Sequence, residues 1–227
     1  LGAVDSIDYV FCFENRGEEI GVTLTHPHGQ IYGYPFVPPR FYKMAEALRH
    51  HRARAGTCLQ CDLLNAECAD GSRIVDVSEY WVAYVPFAAR WPYEVRLVPR
   101  RHVPDIPSLT DDERDDLARS YLAVLGGFDR LFGGGEVPYI AGWQQAPTRG
   151  ATDPDRASWH LAAEVFTIVR APGKLKYLAG SESAAGVWIN DIAPEDAAAR
   201  LRAGVAAART DSRTPDDEHV SAVEIQG

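Results

Sequence analysis

Several features are scarce or missing in this 227-residue chain, and each narrows what it can be. No apolar run approaches the ~20 residues that a membrane-spanning helix needs, and no secretory signal opens the chain. Basic residues are in the minority: 23 Lys and Arg against 32 Asp and Glu give a net charge of −9 and a pI near 5.2. A chain of that sign lacks the basic face on which indiscriminate nucleic-acid binding depends. It can still take a nucleotide-sized anion, because a local cluster of donors holds a phosphate inside an acidic protein. Cysteines number only four, two of them in a Cys-x-x-Cys. That suits a metal in a reducing, cytoplasmic setting better than a disulfide framework. Short-period repeats and low-complexity blocks are absent too. An initiating methionine is missing: the chain opens at Leu1 and soon enters an interior-type strand, which points to processing or to an upstream piece.

What is present is ample apolar material, 46% of residues, enough for one large core or two small ones. Strands are expected at 9–13 (YVFCF) and 28–36 (HGQIYGYPF), then at 80–86, 93–98, 137–143 and 159–169. Helices are expected at 40–54, 111–131 and 194–208, the second opened by a capping box of Thr110 and Glu113. Strand runs broken by a few helices predict an α+β fold with an antiparallel sheet. From Thr210 onward the polar tail reads as disordered.

The stretch THPHGQI at 25–31 carries the chemistry. On a strand, His26, His28 and Gln30 would share one face. A neutral imidazole binds a metal or attacks phosphorus, and one ring nitrogen cannot do both, so the two histidines divide the tasks. Gly29 lets a phosphate approach the backbone, and Gln30 can donate to a phosphoryl oxygen as charge builds there. The competing structural reading is a polar strand end with incidental histidines.

Cys58 and Cys61 (CLQC) need two more ligands for a tetrahedral zinc. His50 and His51 fall on a charged helix and His219 in the tail, where solvated surface is expected. His102 follows a strand, and His160 stands in WHLAAEVF. HLA at 160–162 repeats HPH at 26–28 with Ala162 in place of the second histidine. The repeat makes His160 a metal ligand and predicts zinc at Cys58, Cys61, His102 and His160. Cys12 is expected in the core and Cys68 at the surface.

The stretches FENRG, HPHGQIYGYPFVPP, CLQCDLL, WVAYVPFAARWPYEVRLVPRRHV, WHLAAEVF and KLKYLAGSE together resemble galactose-1-phosphate uridylyltransferases, within the histidine-triad-like superfamily. The resemblance runs from about residue 9 to 205 and covers only the later part of the family protein. It implies two tandem histidine-triad-like half-barrels, with residues 1–39 ending the first and 40–209 forming the second. It also implies an upstream half, a homodimer and a role in galactose metabolism. The implied reaction passes UMP from UDP-glucose to galactose 1-phosphate through a uridylyl-histidine on His28. Gln30, Asn15 and Thr23 would line the phosphates, and Phe13 the uridine. Lys176, Tyr177, Ala179, Gly180 and Glu182 would approach the hexose, from the opposite subunit. His26 would bind a first zinc whose other ligands lie outside this sequence.

Departures from the family pattern open alternatives. An iron-type second site would need ligands where Met44, Gln144, Ala162 and Glu164 stand, and is not supported. Ser181 replaces a tyrosine that some relatives place near the hexose, leaving the sugar open. An ADP-sugar phosphorylase or adenylyltransferase would use the same histidine. A non-catalytic, zinc-stabilised module is a third reading.

Overall fold

The structure, a computed structural model, describes residues 1–24, 26, 28–148 and 154–211. One seven-stranded antiparallel sheet organises them. Its strands are β1 (Tyr9–Arg16), β2 (Gly29–Tyr34), β3 (Ile74–Val77), β4 (Trp81–Tyr84), β5 (Tyr93–Pro99), β6 (Tyr139–Gln144) and β7 (Ala162–Thr167), in the order β2-β1-β6-β7-β5-β4-β3. A short hairpin, β8 (Val169–Ala171) with β9 (Lys174–Leu175), follows. The helices are α1 (Pro39–Ala55), α2 (Leu59–Asp70), α3 (Asp111–Asp129) and α4 (Pro194–Asp211).

Strand alternation sends Val95, Leu97, Ala141, Ala163 and Val165 to one face, where they pack on Val124 and Phe128 of α3 and Leu201 and Val205 of α4. The two helices approach closely because each offers a glycine. A Cβ on Gly204 would lie 2.6 Å from the carbonyl oxygen of Gly127, so the crossing has no room for a side chain. The expected capping box opens α3: Thr110 Oγ1 accepts from Glu113 N–H at 3.3 Å, and the Glu113 carboxylate accepts from Thr110 N–H at 2.8 Å. Arg101 holds the same carboxylate in a two-point pair, both contacts 2.7 Å. These bonds take the Glu113 carboxyl down to about 2, Arg101 contributing most.

The opposite face meets α1 and α2. There Tyr9, Phe41, Leu48, Ala146 and Trp159 form a second cluster, and Leu64, Val82, Tyr84, Val98 and Ala162 a third. The β1–β2 ribbon joins the rest of the sheet through β1 and β6, with Phe13 opposite Gly142 and Asn15 opposite Ile140. On the α3 side, Arg16 pairs with Asp129, and Tyr121 and Tyr139 both donate to Glu14.

Some expectations change. The segment 159–169 is not one strand: β7 starts at Ala162 and the chain bends at Ile168 into β8. The strand at 28–36 shortens to Gly29–Tyr34, so His26 and His28 precede it. Helix α4 runs through Thr210 to Asp211, and the remaining tail lies outside the described residues. Cys12 is half-buried on β1, short of a core position, while Cys68 is exposed as expected.

Candidate active site and metal centre

The β1–β2 register assembles the first constellation. Phe13 stands opposite Gln30 and Glu14 opposite Gly29, so Phe13, Asn15 and Gln30 face the same way across the ribbon. Phe11 stacks on Phe13 (centroids 5.2 Å apart), and Tyr32 meets Phe13 edge-on at 4.9 Å, which fixes that ring. Gln30 Oε1 accepts from the Tyr32 hydroxyl at 3.0 Å, so the donor end of the amide is the one suited to a phosphoryl oxygen. His28 sits just before β2 with Nδ1 2.9 Å from the carbonyl oxygen of His26. A carbonyl only accepts, so Nδ1 carries the hydrogen and Nε2 keeps its lone pair. An imidazole in that tautomer is set up as a nucleophile through Nε2. Thr23 is exposed in the loop between the strands, and His26 is exposed and joins no metal-ligating cluster among the described residues.

The second constellation assembles completely. One ligand atom each from Cys58, Cys61, His102 and His160 lies within 4.8 Å of the others. Cys58 is the N-cap of α2 and Cys61 lies in its first turn; His102 follows β5 and His160 precedes β7. Cys61 Sγ is 3.4 Å from His102 Nδ1 and 3.3 Å from His160 Nδ1. Tetrahedral zinc with nitrogen and sulfur ligands puts donor atoms roughly 3.3–3.8 Å apart, so the spacing fits such an ion. Nε2 of His160 lies 2.9 Å from the carbonyl oxygen of Pro99, which places its hydrogen there and turns the Nδ1 lone pair toward the cysteines. Burial disfavours charge on both thiols. Hydrogen bonds from His102 and His160 nevertheless bring Cys58 down to about 5, while burial and the charge on Cys58 push Cys61 up to about 12. Two thiols and two imidazoles whose donor atoms converge within 4.8 Å make a set that could hold a metal ion.

An open basin of about 750 Å³ lies over this cluster, lined in part by Arg52, Thr57, Asp62 and Arg156. His51 is partly exposed, in keeping with the surface position expected of it, and its Nε2 also bonds Asp62 Oδ2, in the basin's wall, at 2.7 Å. His50 is exposed, as expected, and His219 lies outside the described residues. The composition of α1 gave no sign of this contact, because Asp62 reaches His51 only when α2 folds beside α1.

The loop that carries Lys176, Tyr177, Ala179, Gly180 and Glu182 organises itself around one carboxylate. Glu182 accepts from Ala179 N–H (3.2 Å) and Ile189 N–H (3.4 Å) and pairs with Lys176 at 3.5 Å. Tyr177 is 78% exposed, and Gly180 leads into a short turn of π-helix at Ser181–Ala185. Trp188 anchors the loop on Trp91, which stacks on Phe166 of β7. Among the described residues, no hydrogen bond or ion pair joins this loop to the β1–β2 ribbon.

Residues at the positions of an iron-type site have other partners. Glu164 is buried and pairs with Arg40 (2.5 Å) and Arg90, and accepts from Gln144 Nε2 at 2.9 Å. Met44 packs against the Tyr9 cluster and Ala162 lies in the cluster around Val98. Beside Glu164 lies buried Glu94, whose carboxyl is raised by burial and by that neighbouring carboxylate; Glu164 itself is held low against burial by Arg40 and Arg90. The sequence reading missed this cluster, because no spacing rule marks two buried glutamates on adjacent strands.

Comparison with known proteins gives a consistent answer. The family profile for the galactose-1-phosphate uridyl transferase C-terminal domain matches residues 43–216, and that for the N-terminal domain matches residues 1–38. A galactose-1-phosphate uridylyltransferase of Streptomyces lividans is 45% identical over 210 residues, covering 89% of this chain and 58% of the relative. Its counterpart in Thermotoga maritima is 37% identical over 202 residues, 89% of this chain and 62% of the relative. A solved uridylyltransferase superposes with a TM-score of 0.83 at 38% identity, over 89% of this chain and 62% of that one. The chain thus spans less than two thirds of the length of these relatives. With residues 43–216 matched, and with the α+β antiparallel architecture of the solved uridylyltransferase, the chain belongs to the galactose-1-phosphate uridyl transferase family.

Proposed function

We propose that this chain is the nucleophile-bearing part of a UDP-glucose–hexose-1-phosphate uridylyltransferase of galactose metabolism, acting in the cytoplasm. Residues 1–39 end a first histidine-triad-like half and 40–209 form a second. An upstream part of the first half completes the site, and the complete enzyme is a homodimer. The observation that carries the reading is the 2.9 Å contact of His28 Nδ1 with the His26 carbonyl oxygen, beside Phe13, Asn15 and Gln30.

In this reading His28 Nε2 attacks the α-phosphorus of UDP-glucose in line with the bond to glucose 1-phosphate. An N–P bond forms, the P–O bond breaks, and glucose 1-phosphate leaves with the electron pair. The ring becomes positively charged, and the Nδ1–H bond to His26 O stabilises that charge. Galactose 1-phosphate then takes the uridylyl group, releasing UDP-galactose and neutral His28. Gln30, Asn15 and Thr23 hold the phosphoryl oxygens and Phe13 lies against the uracil; little bond-making falls to other residues. Lys176, Tyr177, Ala179, Gly180 and Glu182 approach the hexose of the other subunit.

Cys58, Cys61, His102 and His160 would hold zinc, which supplies a cross-link between α2 and the loops beside β5 and β7. His26 would serve a separate zinc with ligands from upstream. The names of the relatives favour uridine over adenine as the base.

The two-step reaction predicts exchange of labelled glucose 1-phosphate into UDP-glucose with no galactose 1-phosphate present, in the chain completed by its upstream part. Failure to exchange, while overall transfer proceeds, would exclude the covalent intermediate.

A further inference from the structure

Two consecutive residues at the end of α1 grip the segments that carry the metal-ligating side chains. We propose that His51, with Asp62 and Thr57, is a positioning residue for the metal centre: it holds the Cys58–Cys61 loop in its ligating shape before the ion arrives. The proposal rests on reading Cys58, Cys61, His102 and His160 as a metal site.

The geometry is specific. Thr57 and Asp62 flank the two cysteines, and Thr57 Oγ1 donates to Asp62 Oδ2 at 2.5 Å, closing the loop on itself. His51 Nε2 bonds the same oxygen at 2.7 Å and lies 3.3 Å from Thr57 Oγ1. Asp62 N–H donates to Cys58 O at 3.0 Å, so both the backbone and the side chain of Asp62 fasten the turn between the cysteines. The next residue, Arg52, donates from Nη1 to Ala157 O at 2.7 Å, three positions before His160. Arg156 then pairs with Asp105, three positions after His102. The helix end therefore holds two ligand-bearing segments directly, and Arg156 links the second of them to the third, all from outside the ligand set.

A loop fixed before binding gives up less conformational freedom when the ion binds, so such a brace raises affinity without touching the metal. Outer partners of metal ligands typically contribute 10–100-fold in affinity. An indirect brace belongs at the low end, about tenfold. His51 and Asp62 side chains are 26% and 41% exposed, so their truncation opens no core cavity.

The test is the zinc affinity of the purified chain, by competition with a chromophoric chelator, for wild type, His51→Ala, Asp62→Ala and Thr57→Ser. Thermal stability of each metal-free form is read in parallel. The proposal expects about tenfold weaker binding for the two alanine variants, near wild-type affinity for Thr57→Ser, and unchanged metal-free stability. Wild-type affinity in both alanine variants would overturn it, as would losses no larger than their loss of metal-free stability. A wild-type chain that binds no zinc would remove the metal reading itself, an outcome distinct from failure of the brace.

Discussion

Nδ1 of His28 lies 2.9 Å from the carbonyl oxygen of His26, two residues earlier in the chain. That contact assigns the ring hydrogen to Nδ1 and leaves the Nε2 lone pair free for the proposed attack on phosphorus. His28→Ala should therefore abolish uridylyl transfer by at least about a thousandfold, since no other group replaces a covalent nucleophile. Zinc content, measured on the same sample, should be unchanged. Residual transfer at wild-type rate would assign the chemistry elsewhere.

Gln30→Ala removes an amide whose oxygen accepts from Tyr32 and whose NH2 group is, in the proposed reading, the donor to the phosphoryl oxygen. The expected effect is a fall of about 100-fold in kcat with a smaller change in KM, the signature of a contact strengthened in the transition state. A change confined to KM would make Gln30 a ground-state binder only.

Cys58→Ser exchanges a soft thiolate for a hard, weakly acidic hydroxyl in the cluster with Cys61, His102 and His160. Bound zinc should fall below one equivalent and the melting temperature should drop by several degrees, because metal-binding free energy adds to folding free energy. Chelation of the wild-type chain should lower the melting temperature to a similar value. Identical metal content in the variant would exclude Cys58 as a ligand.

Glu113 gives a stability signal with a definite sign. Its carboxyl moves from 4.5 in the unfolded chain to about 2 in the folded one. Because the folded value is the lower one, the contribution is complete above 4.5 and is lost as pH falls from 4.5 towards 2. Arg101 is half exposed, so about 1–2 kcal/mol is expected after screening. Glu113→Gln should flatten denaturation midpoints across that window relative to wild type. An equal slope for both proteins would show that the pair contributes nothing.

Gly204→Val places a side chain where even a Cβ would meet Gly127 O at 2.6 Å. Separating α3 from α4 should cost about 1–3 kcal/mol or more, read as a lowered urea midpoint. An unchanged midpoint would mean that the helices slide apart freely.

The long amphipathic and capped elements were legible before folding. Helix α3 announces itself through Thr110 and Glu113 and its apolar spacing. Helix α2 was not, because its buried face is Gln60, Leu64 and Glu67, two of them polar, and its N-cap is a metal-type cysteine. The four-residue β3 is too short to show a period. At the site, the Cys58–Cys61–His102–His160 cluster follows from motif and internal repeat. The His51–Asp62 bond and the Glu94–Glu164 pair depend on which helix or strand lies alongside, which residue spacing does not encode. The likeness of 26–28 to 160–162 also holds in the fold: each histidine pair or remnant stands at the mouth of a strand, β2 or β7.

The most direct measurement is intact-mass spectrometry of the chain, together with the proposed upstream part, after incubation with UDP-glucose, followed by peptide mapping. The account predicts an added mass of one uridylyl group on the peptide containing His28, released by galactose 1-phosphate and missing in His28→Ala. An adduct on any other residue, or turnover with no adduct at any time, would contradict it.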